Sequence, residues 1–481
     1  MYKYINVLLL MCISSYAYSQ NILTQNIDGA LKNACLDRNQ TSVRVVEMPS
    51  GHIVYDYNSL KPLLAASVMK LITTASALHY LSPEYRFKTT ILHTGQKRQG
   101  TINGHLVIRG GGDPFLSTKD LWKIATQLKA SGIYEVTGDL LIDLHFFDSY
   151  NRAPAWEVNR SDWAYDAKIG ALSLNFNSIA VHVKPGDYSG DKVNAWIEPS
   201  VPYMLLSNNA KTIKRGRNTV SVKRSENASG YIKMQLRGKL PIKSREKLIR
   251  LNVLEPMRYA SETFNYLLKK AGIRVKGKTK VVYRPVAGKA IYTHLSPPLS
   301  LILKELNTFS NNLTAEQVLK TIAAVRYGTP GTHAEALKLT RQFLTLSRVD
   351  LRGVSLADGS GLSRKNRMTT RAITDLLTRM YSRFDIGPDF MSVLRVMGAY
   401  GVLSSRLKKS PAKGKIRAKT GTLRGVSTLA GYVATPVGKV FGYAIFLNNN
   451  RCGGWKADKI EDKIVNSIHR YGHNYLNTAQ R

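Results

Sequence analysis

The sequence predicts an α+β protein whose strand-rich middle interrupts a domain of helices and strands. Three observations predict it. Residues 21–86 read as helix, hairpin and helix. Residues 87–285 carry short strand-like segments separated by turn residues. From about residue 286 helical periodicity returns, then yields to strands and a closing helix. Strands and helices grouped in blocks in this way point to α+β and not to an alternating α/β chain. The 481 residues leave room for two to four domains.

The elements follow in order. Residues 21–38 read as a first helix, with Leu23, Ile27, Ala30, Leu31 and Ala34 roughly on one face. Thr41–Val46 and His52–Tyr57 are strands joined by the turn Met48-Pro49-Ser50-Gly51. Ser67 then opens an apolar helix reaching about Leu81. Beyond Phe87, strands are expected at 88–93, 105–109 and 138–143, with a helix at 118–130. The cluster Gly110-Gly111-Gly112-Asp113-Pro114 reads as a structural turn, because Asp-Pro follows the glycines where a phosphate cradle would open a helix. Further strands are expected at 171–183 and 220–236. Helices follow at 257–271, 300–306, 313–327, 333–346, 369–383 and 390–396. Strands at 415–419, 426–435 and 439–448 and a helix at 458–471 close the chain.

The first 19 residues read as a signal peptide. Lys3 supplies the positive start, Val7–Ile13 the apolar stretch, and Ala17-Tyr18-Ser19 the small residues before cleavage at Gln20. An uncleaved anchor is the alternative, but the apolar run is short for a membrane span. The expectation is an exported protein, periplasmic or otherwise extracytoplasmic. The net charge is +38. In a cytoplasmic chain that would suggest nucleic acid; export argues against it. Peripheral association with an anionic wall polymer or membrane surface fits better, alongside the plain reading that the high pI belongs to the lineage. Cys35 and Cys452 are the cysteines left after cleavage. Two readings stand for them: a disulfide, if both chain ends build one domain, or two separate buried thiols.

Three short motifs carry chemistry. Ser67-Val68-Met69-Lys70 places a hydroxyl and an amine at i and i+3 on one helical face. Ser310-Asn311-Asn312 precedes the helix that starts at Leu313, and Lys419-Thr420-Gly421-Thr422 ends a strand-like run. Taken singly these are weak. Ser-x-x-Lys also occurs at Ser189, Ser244, Ser405 and Ser410. Each residue has a plainer reading as a cap, a surface amine or an edge charge. Order and context select one set: Ser405 and Ser410 follow Ser310, while Ser189 and Ser244 lie in charged sequence.

Acyl transfer explains the residue types. It needs a nucleophile, a base, a proton path to the leaving group and an oxyanion site. Ser67 would attack a carbonyl, and Lys70, held neutral, would take its proton. Ser310 would relay a proton to the departing amine. Asn312 would hold Lys70 and a substrate amide. Lys419 would provide fixed positive charge, and Thr420 and Thr422 would bind a carboxylate beside Gly421. The backbone N–H groups of Ser67 and Thr422 would form an oxyanion hole worth about 3 kcal/mol. No cofactor and no metal enter this scheme.

These motifs resemble those of the class C low-molecular-mass penicillin-binding proteins, the D-alanyl-D-alanine carboxypeptidase/endopeptidase family. Supporting stretches are Gly111-Gly112-Asp113-Pro114, Ala171-Leu172-Ser173 with Asn177, and Asp358-Gly359-Ser360-Gly361-Leu362-Ser363. Ser67 and Ser310 lie 243 positions apart, which leaves room for the large insertion of that family. The resemblance implies a penicillin-binding/serine β-lactamase-like transpeptidase domain, an antiparallel sheet flanked by helices, from residues 20–86 and 286–481. Residues 87–285 would form two smaller β-rich domains meeting near 165. It further implies hydrolysis of D-Ala-D-Ala termini and D-alanyl cross-links in peptidoglycan, with β-lactam antibiotics acylating Ser67. A β-lactamase or esterase using the same residues, and a non-catalytic wall-binding protein, are the alternatives.

Overall fold

The computed structural model describes residues 20–156, 161–226, 231–399 and 406–471. The expected signal peptide lies outside them, as does Ser405. Backbone packing divides the chain into two compact units. One comprises the chain up to Tyr85, a short piece beginning at Ala153, and the chain from Pro298; the other comprises the remainder.

The first unit is built on a six-stranded sheet in which every neighbouring pair is antiparallel. Its order is Ile53–Tyr57, Thr41–Glu47, Val440–Leu447, Val426–Ala434, Ile416–Leu423 and Arg395–Val396. The first two strands come from the N-terminal end and the other four from the C-terminal end. They meet where Thr41 to Glu47 pair residue by residue with Leu447 to Phe441. The strands Val426–Ala434 and Val440–Leu447 are mostly apolar and buried along nearly their whole length, as strands covered on both faces require. On one face Val43, Val45, Leu429, Val433, Tyr443 and Ile445 pack with Leu23 and Ile27 of the first helix and Ile460 and Ile464 of the helix Gly453–His469. On the other lies the helix Thr370–Tyr381. Buried Arg44 reaches its Asp375 at 3.0 Å, and Tyr432 donates to Leu377 O at 2.7 Å.

Three local expectations are corrected. The first helix stops at residue 31, and Ala34 is exposed. Beyond it the side chain of Asn33 accepts from Cys35 N and that of Asp37 from Asn39 N, so local side-chain bonds replace the helical ladder. Helix 390–396 is instead the helix Gly387–Ser392 followed by the edge strand Arg395–Val396, which pairs with Ala418 and Arg417. Finally, the residues around Lys419 do not leave the strand; it runs on to Leu423.

The two cysteines form a disulfide with a Cα–Cα distance of 4.9 Å across 417 positions. Arg451 N donates to Cys35 O beside it at 2.9 Å. The first helix and the last are thereby tied at one edge of the same core.

The second unit contains a five-stranded mixed sheet and several smaller sheets around one apolar cluster. Strand Lys289–Leu295 pairs with Lys88–His93, so this unit continues to Pro297, past the boundary expected at 286. Gly112 N donates to Ala171 O at 2.7 Å, and Asp113 bridges to Leu172. The Gly-Gly-Asp-Pro and Ala-Leu-Ser stretches are thus one packed corner. Among the described residues no helix is long and apolar enough to cross a membrane.

Candidate active site

Ser67 sits in a 3-10 turn, Ala66–Met69, that runs into the α-helix Lys70–Leu81. The α-helix therefore begins three residues later than the sequence pattern indicates, and Ser67 caps neither element. Ala66 has φ 45°, a left-handed conformation costing a side chain roughly 1–2 kcal/mol. Tertiary contacts hold it there. Thr428 Oγ1 donates to Ala65 O at 2.8 Å, and Gly361 packs directly on Ala66 O, where no Cβ fits. On the sheet side a Cβ at Gly421 would stand 2.8 Å from Ser67 N. Glycine at 421 is what lets the strand lie against the nucleophile turn, with Thr422 next in line.

Lys70 is wholly buried. Its Nζ lies 3.0 Å from Ser67 Oγ, 2.7 Å from Asn312 Oδ1 and 2.5 Å from Ser360 O. The last two partners can only accept. They occupy two N–H donors and leave the remaining position of the nitrogen facing Ser67. Burial pushes the Lys70 ammonium down to about 8, against the opposing pull of the Asp358 and Glu316 carboxylates.

The second motif lies where two helices meet. Helix Leu299–Phe309 ends at Ser310, left-handed at φ 56°, and Asn311 caps the next helix, Asn312–Tyr327, by accepting from Thr314 N at 3.1 Å. This sharp corner sends Ser310 to Lys419, with Oγ 3.0 Å from Nζ. One turn beyond Asn312, buried Glu316 accepts from Gly359 N at 3.1 Å and Ser360 N at 2.8 Å. Burial opposes its ionisation, but His333, at 3.3 Å, and those amides outweigh it and hold the carboxyl below its ordinary value. Asp358 accepts from Gly361 N and Ser363 N, both at 2.7 Å, and from Trp156 Nε1 at 3.0 Å. Burial and the Glu316 charge push its carboxyl up. The loop that presents Ser360 O to Lys70 is therefore fixed by two buried carboxylates.

Lys419 is buried as well, and its Nζ also donates to Thr420 O at 2.7 Å. Burial, then the charges of Lys70 and Arg395, hold its ammonium well below the usual lysine range. It makes no ion pair with a carboxylate among the described residues. The sequence reading of Lys419 as a fixed positive charge thus needs an incoming anion. The side-chain hydroxyls of Thr420 and Thr422 make no hydrogen bonds within the described residues, and Thr422 is exposed.

Ser67, Lys70, Ser310, Asn312, Lys419 and Gly421 come together here, and Thr420 and Thr422 flank Gly421 on its strand. Sequence reasoning missed Glu316, His333, Arg395 and Trp156. Glu316 had a signal: an acid four positions after Asn312, on the same face of the helix expected at 313–327. Trp156 had none, because a contact across 202 positions places it.

This fold and this clustering of serine and lysine define a serine peptidase of the penicillin-binding class. The chain belongs to the D-Ala-D-Ala carboxypeptidase 3 (S13) family, whose model matches residues 23–471. It is 32% identical over 468 residues to a D-alanyl-D-alanine carboxypeptidase of Actinomadura sp., covering 94% of this chain and 85% of that one. It is 26% identical to the D-alanyl-D-alanine carboxypeptidase DacB of Haemophilus influenzae, covering 88% and 89% of the two chains. Among solved structures it resembles penicillin binding protein 4 (dacB) from Haemophilus influenzae, with TM-score 0.78, 23% identity and coverage of 94% of this chain and 99% of that one.

Proposed function

We propose that this protein is a serine D-Ala-D-Ala carboxypeptidase and DD-endopeptidase of peptidoglycan, working through an acyl-enzyme on Ser67. The observation that carries the reading is the three-way hold on Lys70 Nζ by Ser67, Asn312 and Ser360. The base is buried, oriented and depressed toward neutrality beside the nucleophile.

The C-terminal carboxylate of a stem peptide binds at Lys419, Thr420 and Thr422. The anion stabilises the Lys419 ammonium, and that charge in turn disfavours a proton on Lys70. Neutral Lys70 takes the Ser67 proton as Oγ attacks the carbonyl of the penultimate D-alanine. Ser67 N and Thr422 N stabilise the oxyanion. Ser310, bonded to Lys419, passes a proton to the departing amine and takes in its place the proton that Lys70 gained, which leaves Lys70 neutral again. Water then attacks the ester as Lys70 takes its proton, and Lys70 returns that proton to Ser67 Oγ as the acid leaves. A free D-alanine as leaving group gives carboxypeptidase action; the amine of a neighbouring stem peptide gives cross-link cleavage. Penicillins would acylate Ser67 as mimics of the same terminus, in line with the Haemophilus influenzae penicillin binding protein 4 solved in complex with a β-lactam.

We also read the two chain ends as one peptidase domain and the insertion as separately packed. The expected signal peptide supports export, to the periplasm or another extracytoplasmic space. The net charge of +38 supports peripheral contact with an anionic envelope surface. The test is labelling with a fluorescent penicillin, followed by mass analysis of digested peptidoglycan. Loss of label in Ser67→Ala and release of D-alanine with cut cross-links are expected; full labelling of Ser67→Ala would overturn the nucleophile.

A further inference from the structure

The loop that offers Ser360 O to Lys70 is gripped from two directions. From the helices of the site, Glu316 accepts from Gly359 N and Ser360 N, and Thr73 Oγ1 donates to Gly359 O at 2.6 Å. From the other direction comes a short strap that begins at Ala153. It packs with the first unit, although the chain before and after it belongs to the second. Two bonds join strap and loop. Trp156 Nε1 donates to Asp358 Oδ2 at 3.0 Å, and Ser363 Oγ donates to Ala155 O at 2.9 Å.

Asp358 is the hub of the loop. It is wholly buried. Its Oδ1 accepts from Gly361 N at 2.7 Å and Asn366 Nδ2 at 2.8 Å. Its Oδ2 accepts from Ser363 N at 2.7 Å, from Ser360 Oγ at 3.3 Å and from the indole. Among the described residues, Trp156 is the one donor to Asp358 that comes from outside the loop. The others close the loop on itself, and the indole seats the closed loop in the fold. That loop touches both base and nucleophile turn. Ser360 O accepts from Lys70 Nζ, and Gly361, at φ 79°, packs on Ala66 O. A displaced Asp358 therefore displaces the acceptor that orients Lys70.

Trp156 is only 7% exposed, and another aromatic ring would fill much of its space. What the indole adds to that bulk is an N–H aimed at a buried carboxylate. Such a carboxylate stays ionised only where donors replace its lost hydration.

We propose that Trp156 is a positioning residue for acyl transfer: its N–H seats Asp358, and through Asp358 the Ser360 carbonyl that aims Lys70 at Ser67. The proposal rests on the reading of Lys70 as the base. It has an electrostatic side. The Asp358 and Glu316 charges pull the Lys70 ammonium up against burial, and Lys419 is the other buried cation of the site. Burial and the Glu316 charge oppose ionisation of Asp358, while its donors favour it; His333 lies beyond Glu316 at 3.3 Å. Without the indole donor the Asp358 charge weakens, and Lys70 becomes neutral at lower pH.

Trp156→Phe keeps an aromatic ring and removes the N–H. Its rate of acylation by saturating fluorescent penicillin is followed across the pH range around the Lys70 value of about 8. The plateau rate should fall about tenfold, the scale of a small misplacement of a reacting group, and the inflection should move to lower pH. A role in packing alone would lower the unfolding temperature and leave plateau and inflection at their wild-type values. Placing 3-benzothienylalanine at position 156 keeps both rings and lacks the N–H, so the same two changes are expected there even if Trp156→Phe does not fold. A wild-type plateau in these folded variants, or an inflection moved upward, would overturn the proposal. A wild-type protein without any inflection counts instead against Lys70 as the base, and the plateau comparison still decides the role of Trp156.

Discussion

Lys70 Nζ and Asn312 Oδ1 lie 2.7 Å apart although 242 positions separate them in the chain. The two residues belong to different helices, and only folding of both chain ends together creates the contact. Asn312 takes one N–H of Lys70 and so directs what remains of that nitrogen at Ser67. Asn312→Ala should lower the rate of acylation by a fluorescent penicillin about a hundredfold, within the range for a positioned base. Stopped-flow labelling checks it; an unchanged rate would remove Asn312 from the site.

The depressed Lys70 sets a pH profile. Lys70 must be neutral to act as base, and its pKa is about 8. The acylation rate should rise about tenfold per pH unit below that value and level off above it. Asp358 and Glu316 pull the Lys70 pKa upward. Removing a carboxylate therefore moves the limb down: Glu316→Gln should shift the inflection to lower pH. A shift upward, or none, would show that Glu316 does not act on Lys70.

Lys419 makes a prediction about protons. Without an anion its ammonium is disfavoured by burial, Lys70 and Arg395. Binding of a carboxylate should therefore favour uptake of a proton by Lys419. In Ser67→Ala, the binding enthalpy of an acetylated D-Ala-D-Ala peptide should depend on the ionisation enthalpy of the buffer with the sign of proton uptake. Lys419→Met should abolish that dependence. Identical enthalpies in phosphate and Tris would mean that Lys419 is already charged or takes its proton from Lys70.

Gly421 is a steric requirement. A Cβ there would stand 2.8 Å from Ser67 N and 2.9 Å from Ala65 O, both backbone atoms that cannot swing aside. Gly421→Ala should force the strand off the nucleophile turn and reduce acylation by about a hundredfold or more, the scale of losing an oxyanion donor. Circular dichroism should stay native. Wild-type acylation rates would show that the turn moves freely.

The disulfide between Cys35 and Cys452 closes a loop of 417 positions. Cys35→Ala with Cys452→Ala should lower unfolding free energy by about 2–4 kcal/mol, mainly through a freer unfolded chain. Penicillin labelling at 25 °C should persist, because neither cysteine touches the site. Denaturant titration measures the first and labelling the second.

Much of the site was legible because its chemistry is local. Ser67 and Lys70 are three positions apart, Ser310 and Asn312 two, and each short motif carries its own spacing. The Asp358–Ser363 stretch was visible as a glycine-punctuated loop, but its task was not. That Ser360 presents its carbonyl to Lys70 depends on Glu316 and Asp358 gripping the loop from beneath. Helix ends were misread where side chains bond their own backbone, as at Asn33 and Asp37, since periodicity carries no sign of that competition.

The sequence by itself marked the candidate groups: a serine, two lysines, an asparagine and a glycine, in an order and at separations that name an acyl-transfer family. It also set the strands, because the mostly apolar stretches 426–434 and 440–447 are of the kind that a sheet covered on both faces holds. Tertiary structure decided the rest. It paired the two chain ends as neighbouring strands, turned two separate cysteines into a bond, and buried two lysines so that the charge of Lys70 bears on Lys419. Those properties arise from distance and desolvation, which exist only in the folded protein, between residues that the sequence leaves hundreds of positions apart.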